Sequence, residues 1–283
     1  TSWSSKGIGG GGAIYAPYIS PLNPNKVNIA CDMSNYFYSY DFGTNFTAYH
    51  YQNILVFRNS IVRYTNDSNT CYNLRNIGGG YSPVKSIDGG MTWVNLVNPA
   101  SSSSAFKCYD LYASPFRNDQ IIVSDKYSLY ISNNGGTNFS AAFFTAGATR
   151  GMHLAGVYFD DNNTDIYVCT NKGVLLSTNA GASFSAYQNI PGIDTTNYDI
   201  VSFEGSKQGS AIKFVCAAVS NNATPHIIES KSAPTFKNLY SINWGEPSWK
   251  SIKASLPDSS VDKPFFVRMV PNDTSTFYLG GTT

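Results

Sequence analysis

Charge is what this chain has least of. Only 13% of its residues are Asp, Glu, Lys or Arg, and the net charge is +1. No basic run or patch could neutralise a phosphate backbone, so no nucleic-acid partner is expected, and no acidic tail is present either. Histidine is limited to His50, His153 and His226, far apart in the chain, and no C-x-x-C occurs. A zinc site therefore has little support, and no metal or cofactor is expected. No apolar run approaches the ~18 residues of a membrane helix, which argues against a membrane span. No stretch sustains the 3.6-residue period of an amphipathic helix. No signal peptide is recognisable, so an exported form would begin at or after its processed end.

The five cysteines, Cys31, Cys71, Cys108, Cys169 and Cys216, are odd in number, which argues against a simple disulfide framework. Cys31, Cys169 and Cys216 each follow an apolar run and read as small buried thiols at an equivalent strand position. Cys71 and Cys108 fall off that register and are near enough in character to pair.

Aromatic residues are abundant: 14% of the chain, with 20 Tyr and 17 Phe. Asn, Ser, Thr and Gly crowd the remainder. This composition suits short strands joined by many turns. The organising stretch is Ser86-Ile87-Asp88-Gly89-Gly90-Met91-Thr92-Trp93. It reads as a tight turn between two strands, in which glycines supply the backbone angles, Asp, Ser and Thr satisfy turn amides, and Trp93 returns to the interior.

Copies of this box begin at Ser39, Ser86, Ser132 and Ser177, with steps of 47, 46 and 45 residues. A damaged fifth copy runs from Ser241 to Trp249, with an alternative register near Thr235-Phe236. Apolar segments between boxes recur at Pro24–Cys31, Asn118–Ser124, Asn162–Cys169, Gly209–Cys216 and Asn272–Leu279. A second short strand enters each box, as in Ser128–Ile131 and Gly173–Leu176. A period near 45 residues holding about four short strands predicts an all-β fold, a β-propeller of four-stranded antiparallel blades. Residues 1–283 are expected to form a single propeller of about five to six blades. Thr1-Ser2-Trp3 reads as the end of a box, and Phe277–Thr283 reads as an inner strand with no box after it. The expectation is that the chain is a piece of a longer protein, or a ring closed in an unusual way.

The box resembles the Asp-box (BNR) repeat, S/T-x-D-x-G-x-T/S-W/F, of sialidases, xyloglucanases, sortilin-type receptors and photosystem assembly factors. In those families the box faces away from the ligand. The N-terminus is more specific. Trp3, the run Gly9–Gly12, Ile19-Ser20-Pro21-Leu22-Asn23-Pro24 and Ile29-Ala30-Cys31-Asp32 together resemble the opening of the N-terminal propeller of xyloglucan-active endo-glucanases and oligoxyloglucan hydrolases. That resemblance implies a secreted propeller that acts on or binds a β-glucan such as xyloglucan. It implies Asp32 as the general base of an inverting hydrolysis. The family has Gly-Gly where this chain has Ser34-Asn35, and its general acid belongs to a second propeller. The alternative is a non-catalytic extracellular propeller: an adhesin, or a surface or filament component.

Around Asp32, the candidate substrate-binding residues are Gly10, Gly11, Tyr15, Tyr36, Asp125 and His153. The glycines would let a backbone come close to a sugar. It is not a phosphate loop, because no Lys-Ser/Thr and no helix follow it. Tyr15 and Tyr36 would offer ring faces to C–H-rich sugar surfaces. Asp125, after Ile121-Ile122-Val123-Ser124, stands at nearly the same place in its repeat as Asp32. His153 and Arg150 lie in a loop leading to a strand. Gly78-Gly79-Gly80-Tyr81 is a second glycine run. Asp41 and Asp88 belong to boxes and are structural; Asp110, Asp160 and Asp161 read as turn residues. Sialidase chemistry is disfavoured. It needs an arginine cluster, a Tyr–Glu pair and a Phe/Tyr-Arg-Ile-Pro segment before the first box, whereas Glu204, Glu229 and Glu246 are the only glutamates. The sequons at Asn45, Asn66, Asn138, Asn162, Asn222 and Asn272 are about as many as an Asn/Thr-rich chain should hold, and they fit an extracellular surface. The expected partners are a polysaccharide or glycan, with a second propeller or other chains beside it.

Overall fold

The computed structural model of the chain describes residues 13–33, 35–50, 52–78, 80–99, 108–125, 127–144, 152–186, 191–220, 235–253, 256 and 263–282. The fold is all-β. The first blade is β1 (Ile14–Ser20), β2 (Asn23–Cys31), β3 (Tyr36–Ser39) and β4 (Thr47–Ala48). The second is β5 (Arg63–Tyr64), β6 (Cys71–Asn76), β7 (Tyr81–Ser86) and β8 (Val94–Asn95). The third is β9 (Asp110–Ala113), β10 (Ile121–Ser124), β11 (Ser128–Ser132) and β12 (Ser140–Phe144). The fourth is β13 (Leu154–Phe159), β14 (Ile166–Thr170), β15 (Gly173–Ser177) and β16 (Ser185–Ala186). The fifth is β17 (Tyr198–Gln208), β18 (Ala211–Ser220), β19 (Phe236–Asn243) and β20 (Lys250–Ser251). A two-stranded sheet, β21 (Lys263–Met269) and β22 (Phe277–Thr282), follows.

Within each sheet the strands run in chain order and antiparallel, the meander of a propeller blade. Five complete blades among the described residues agree with the period read from the boxes. No helix of the described residues is long and apolar enough to cross a membrane. Contacts divide the chain into two compact units: Thr1–Asp125 with Leu129–Ala141, and Lys126–Ser128 with Ala142–Thr283.

The core of each unit lies between the faces of successive sheets. In the first unit, Ala30, Tyr36, Tyr49, Ile54, Val84 and Trp93 bury together. Tyr72, Leu74, Leu111, Ile121 and Val123 form the next layer. In the second unit, Tyr167, Cys169, Phe203, Phe214, Tyr240 and Trp249 cluster between the fourth and fifth blades. Because both faces of a blade are covered, the middle strands β10 and β14 are buried at every position and show no apolar–polar alternation.

All five cysteines are buried and none forms a disulfide, so Cys71 and Cys108 are not bonded to each other. The expected equivalence of Cys31 and Cys169 is off by one residue. Ala30 pairs with Tyr36 three residues beyond the partner of the box serine, and Cys169 holds that same place in the fourth blade.

The four boxes share one hydrogen-bond network. In each, the buried serine hydroxyl donates to the Asp or Asn side chain two residues on: Ser39 to Asp41 (2.7 Å), Ser86 to Asp88 (2.7 Å), Ser132 to Asn134 (2.9 Å) and Ser177 to Asn179 (2.9 Å). The same hydroxyl accepts the amide of the glycine four residues on, at 2.9, 2.7, 2.9 and 2.8 Å for Gly43, Gly90, Gly136 and Gly181. Those glycines have φ between 78° and 94°, the left-handed region that a side chain makes costly. The third and fourth boxes use Asn because the network needs an acceptor oxygen, not a charge.

The fifth copy departs from this pattern. Ser241 lies inside β19, paired with Val215, and the turn is built instead on Asn243, whose Nδ2 donates to Glu246 at 3.1 Å. Trp249 keeps its place just before the outer strand and is buried.

The carboxylate of Asp41 is held down to about 2 by the Asn45 amide, the Ser39 hydroxyl and the Asn45 side chain. A carboxyl depressed on folding stabilises the fold above its unfolded pKa, ~3.9, and that stability is lost as pH falls through the folded value. The urea midpoint is therefore expected to drop between about pH 4 and pH 2, and Asp41→Asn should flatten part of that slope. An identical acid profile in the variant would show that this box carboxylate is not linked to folding.

Candidate functional site

In each meander the box turn and the first hairpin lie at one end of the sheet. The β2–β3 type of turn, and the segment that enters the next inner strand, lie at the other end. Asp32 is at this second end of the first blade, immediately after β2. It is half-buried, and its backbone amide donates to the Ala13 carbonyl at 3.1 Å. Its Oδ1 accepts the Ala13 amide at 3.0 Å and the Cys31 thiol at 3.4 Å. Among the described residues no group donates to Oδ2. Among the described residues the carboxylate is thus anchored through Oδ1 alone.

Register counted from the box serine shows what this position does in other blades. Asp32 stands five residues beyond Val27, the partner of Ser39. The same count from Cys71 and Ile166, the partners of Ser86 and Ser177, reaches Asn76 and Asn171. Each of the three gives its amide to the carbonyl of the segment entering the inner strand: Asp32 to Ala13, Asn76 to Leu55 (2.8 Å) and Asn171 to His153 (2.9 Å). Asn171 repeats the whole brace, since its Oδ1 also accepts the His153 amide at 3.2 Å. A carbonyl-type side chain at this position is therefore a structural clamp, and a carboxylate here adds charge to it.

Asp125 is four residues beyond Ile121, one short of the Asp32 position. Its Oδ2 accepts the Tyr130 hydroxyl at 3.0 Å, which ties it to its own hairpin. Tyr36 is only 2% exposed, stacked on Tyr49 with ring centroids 4.7 Å apart. It belongs to the core and offers no face to a ligand. The reason is that β3 packs on the neighbouring sheet through the face that carries Tyr36. Tyr15 remains half-exposed at the start of β1, two residues from the Ala13 clamp.

Sequence reasoning missed the companions of Tyr15. The Arg58 guanidinium lies 5.6 Å from the Tyr15 ring centre and 5.1 Å from that of Phe57, and the two rings are 6.5 Å apart. Phe57 and Arg58 lie in the segment between β4 and β5, at the Asp32 end of the sheet, with no motif to mark them. Together the first unit brings an anchored carboxylate and an aromatic–cation platform to one blade end. Such a set can bind a sugar by C–H/ring contact and hydrogen bonding.

Gly10 and Gly11 lie outside the described residues, as do Arg150 and Gly79. Gly78 has φ 78°, and its amide donates to the Asn76 side-chain oxygen at 3.0 Å, so Gly78 belongs to the β6–β7 turn. His153 belongs to the second unit, braced by Asn171. There the buried Asp199 accepts Asn171 Nδ2 at 3.4 Å and pairs with Lys172 Nζ at 3.1 Å. No group of three or more metal-ligating side chains occurs among the described residues.

No protein-family profile matches this chain, and neither does any curated protein. Solved structures do match. A propeller bound to a D1 peptide, YCF48, superposes with a TM-score of 0.51 at 9% identity, over 96% of this chain and 91% of that one. The GH74 xyloglucanase from Xanthomonas campestris gives 0.64 at 16% identity, over 89% of this chain and 39% of that one. An ancestral GH74 enzyme gives 0.69 at 19% identity, over 97% of this chain and 35% of that one. The chain thus spans well under half the length of these GH74 structures, and its fold is the propeller fold of GH74 glycoside hydrolases.

Proposed function

We propose that this chain is the glucan-binding propeller of a secreted, glycoside hydrolase-like protein acting on a β-glucan such as xyloglucan, with Asp32 as general base. The observation that carries the reading is the Asp32 carboxylate, anchored through Oδ1 with no donor to Oδ2 among the described residues, at the blade end opposite the boxes. An inverting hydrolase needs two carboxyl groups about 6.5–9.5 Å apart, with room for water between one of them and the sugar. In this reading Asp32 Oδ2 takes the proton of the attacking water. The acid that protonates the leaving oxygen comes from a second propeller, outside this chain. The Tyr15 ring, steadied by Arg58, packs on a glucose face.

A non-catalytic propeller with a glycan or peptide partner is the second reading. Two observations favour it: Ser34-Asn35 where the xyloglucan enzymes carry glycines, and Asn171 doing the work of Asp32 with no charge.

Affinity electrophoresis in gels containing xyloglucan or mixed-linkage glucan tests the binding half. The wild-type chain is expected to be retarded, and Tyr15→Ala to weaken binding about tenfold, in line with ~1–1.5 kcal/mol for one lost ring contact. No retardation by either polysaccharide would sink the glucan reading and leave the protein-partner one.

A further inference from the structure

We propose that the box end of the blades is N-glycosylated, at Asn45, Asn66, Asn138, Asn162 and Asn272, while the opposite end carries no acceptor sequence among the described residues. The inference rests on passage through a secretory route, and not on glucan binding.

Asn45 and Asn138 lie in boxes, at the place that Thr92 and Ser183 hold in the other two. Each is followed two residues later by the first residue of the outer strand, Thr47 or Ser140, which completes the N-x-S/T acceptor. Asn66, Asn162 and Asn272 lie in the β5–β6, β13–β14 and β21–β22 turns. In an antiparallel meander those first hairpins share the end of the sheet that the box occupies. All five asparagines are exposed.

Among the described residues the opposite end is not short of asparagine. Asn35, Asn59, Asn76, Asn98, Asn171 and Asn197 all lie there, and none is followed by x-Ser/Thr. Asn222 lies outside the described residues.

The chemistry fits each turn. Transfer forms a bond between the sugar C1 and Asn Nδ2 and breaks the C1–O bond of a lipid pyrophosphate-linked oligosaccharide. The lipid pyrophosphate leaves with the electron pair, and one Nδ2 proton is lost to base. The product keeps one N–H and the whole of Oδ1. Asn45 needs only one N–H for its 2.6 Å bond to Asp41. Asn162 works through Oδ1, which accepts the amides of Thr164 and Asp165 at 2.9 Å each. Asn66, Asn138 and Asn272 make no side-chain hydrogen bond among the described residues. A glycan therefore fits on all five without breaking a turn.

The test expresses the chain behind a secretion signal in a glycosylating eukaryotic host, in an Asn222→Gln background. Peptide N-glycosidase in heavy-oxygen water then marks each occupied asparagine for mass spectrometry on the secreted protein. Glycan at three or more of the five sites, lost at a given site in its Ser/Thr→Ala variant, is the expected result. Three or more bare sites would overturn the proposal. Occupied sites with no glucan affinity would instead sink the function proposed above and leave this inference standing.

Discussion

Phe214→Ala is expected to cost the second unit about 3–5 kcal/mol, the range for removing a fully buried aromatic ring. Phe214 is 0% exposed at the centre of β18. Its ring centre lies 4.9 Å from Tyr167, 5.0 Å from Phe203, 5.4 Å from Tyr158 and 5.5 Å from Trp244. It fills the space above Gly205, where even a methyl group would sit 2.6 Å from the ring. Three rings from three strands and a fourth from the turn after β19 thus depend on one side chain, and the strands cannot close the cavity without moving. With total stabilities of ~5–15 kcal/mol, such a loss leaves the unit close to unfolding at room temperature. Urea denaturation followed by Trp fluorescence reads the change. Phe144→Ala, at an exposed ring, is the control and should move stability by under about 0.5 kcal/mol. A Phe214 variant within about 1 kcal/mol of wild type would contradict the packing described.

Asp32→Asn is expected to lower glucan hydrolysis by about 10²–10⁴-fold, the range for losing a general base, while fold and glucan affinity persist. The fourth blade supplies the reason for expecting the fold to survive. Asn171 makes the same two bonds with His153 that Asp32 makes with Ala13, so an amide oxygen serves the clamp as well as a carboxylate does. What an amide does not supply is an acceptor for a proton from water. Asp32→Ala removes the clamp as well and is the poorer probe, because it mixes local unfolding with lost chemistry.

The architecture was legible because the boxes are local. Ser, Asp or Asn and Gly at fixed offsets build a turn whose bonds all lie within five residues, and the even spacing follows from equal blades. The fifth copy was half legible. Trp249 kept its place, while the turn moved onto Asn243 and left Ser241 inside the strand. The site was less legible, because it depends on which residues meet between sheets. Tyr36 and Tyr15 look alike in sequence, and only the neighbouring blade decides that one is core and the other half-exposed. Arg58 and Phe57 carry no motif, and their role comes from lying beside Tyr15. Cys31 was misaligned by a single residue, while Asp125 stands one residue short of the Asp32 position, as nearly the same place allows. Apolar runs buried on both faces give no alternation by which to set register, whereas the box serine pairing does.

Box and site thus divide the blade between them. The box end is built from self-contained turns and carries the exposed sequons, and the Asp32 end carries the clamped Asp32 carboxylate and the aromatic–cation platform. The most direct test is the release of reducing ends from xyloglucan by the full-length protein and by its Asp32→Asn variant, with glucan binding measured on both. The account predicts release by the wild type and loss of release, with binding kept, in the variant. Equal release by both, or binding with no release by either, would contradict Asp32 as the base.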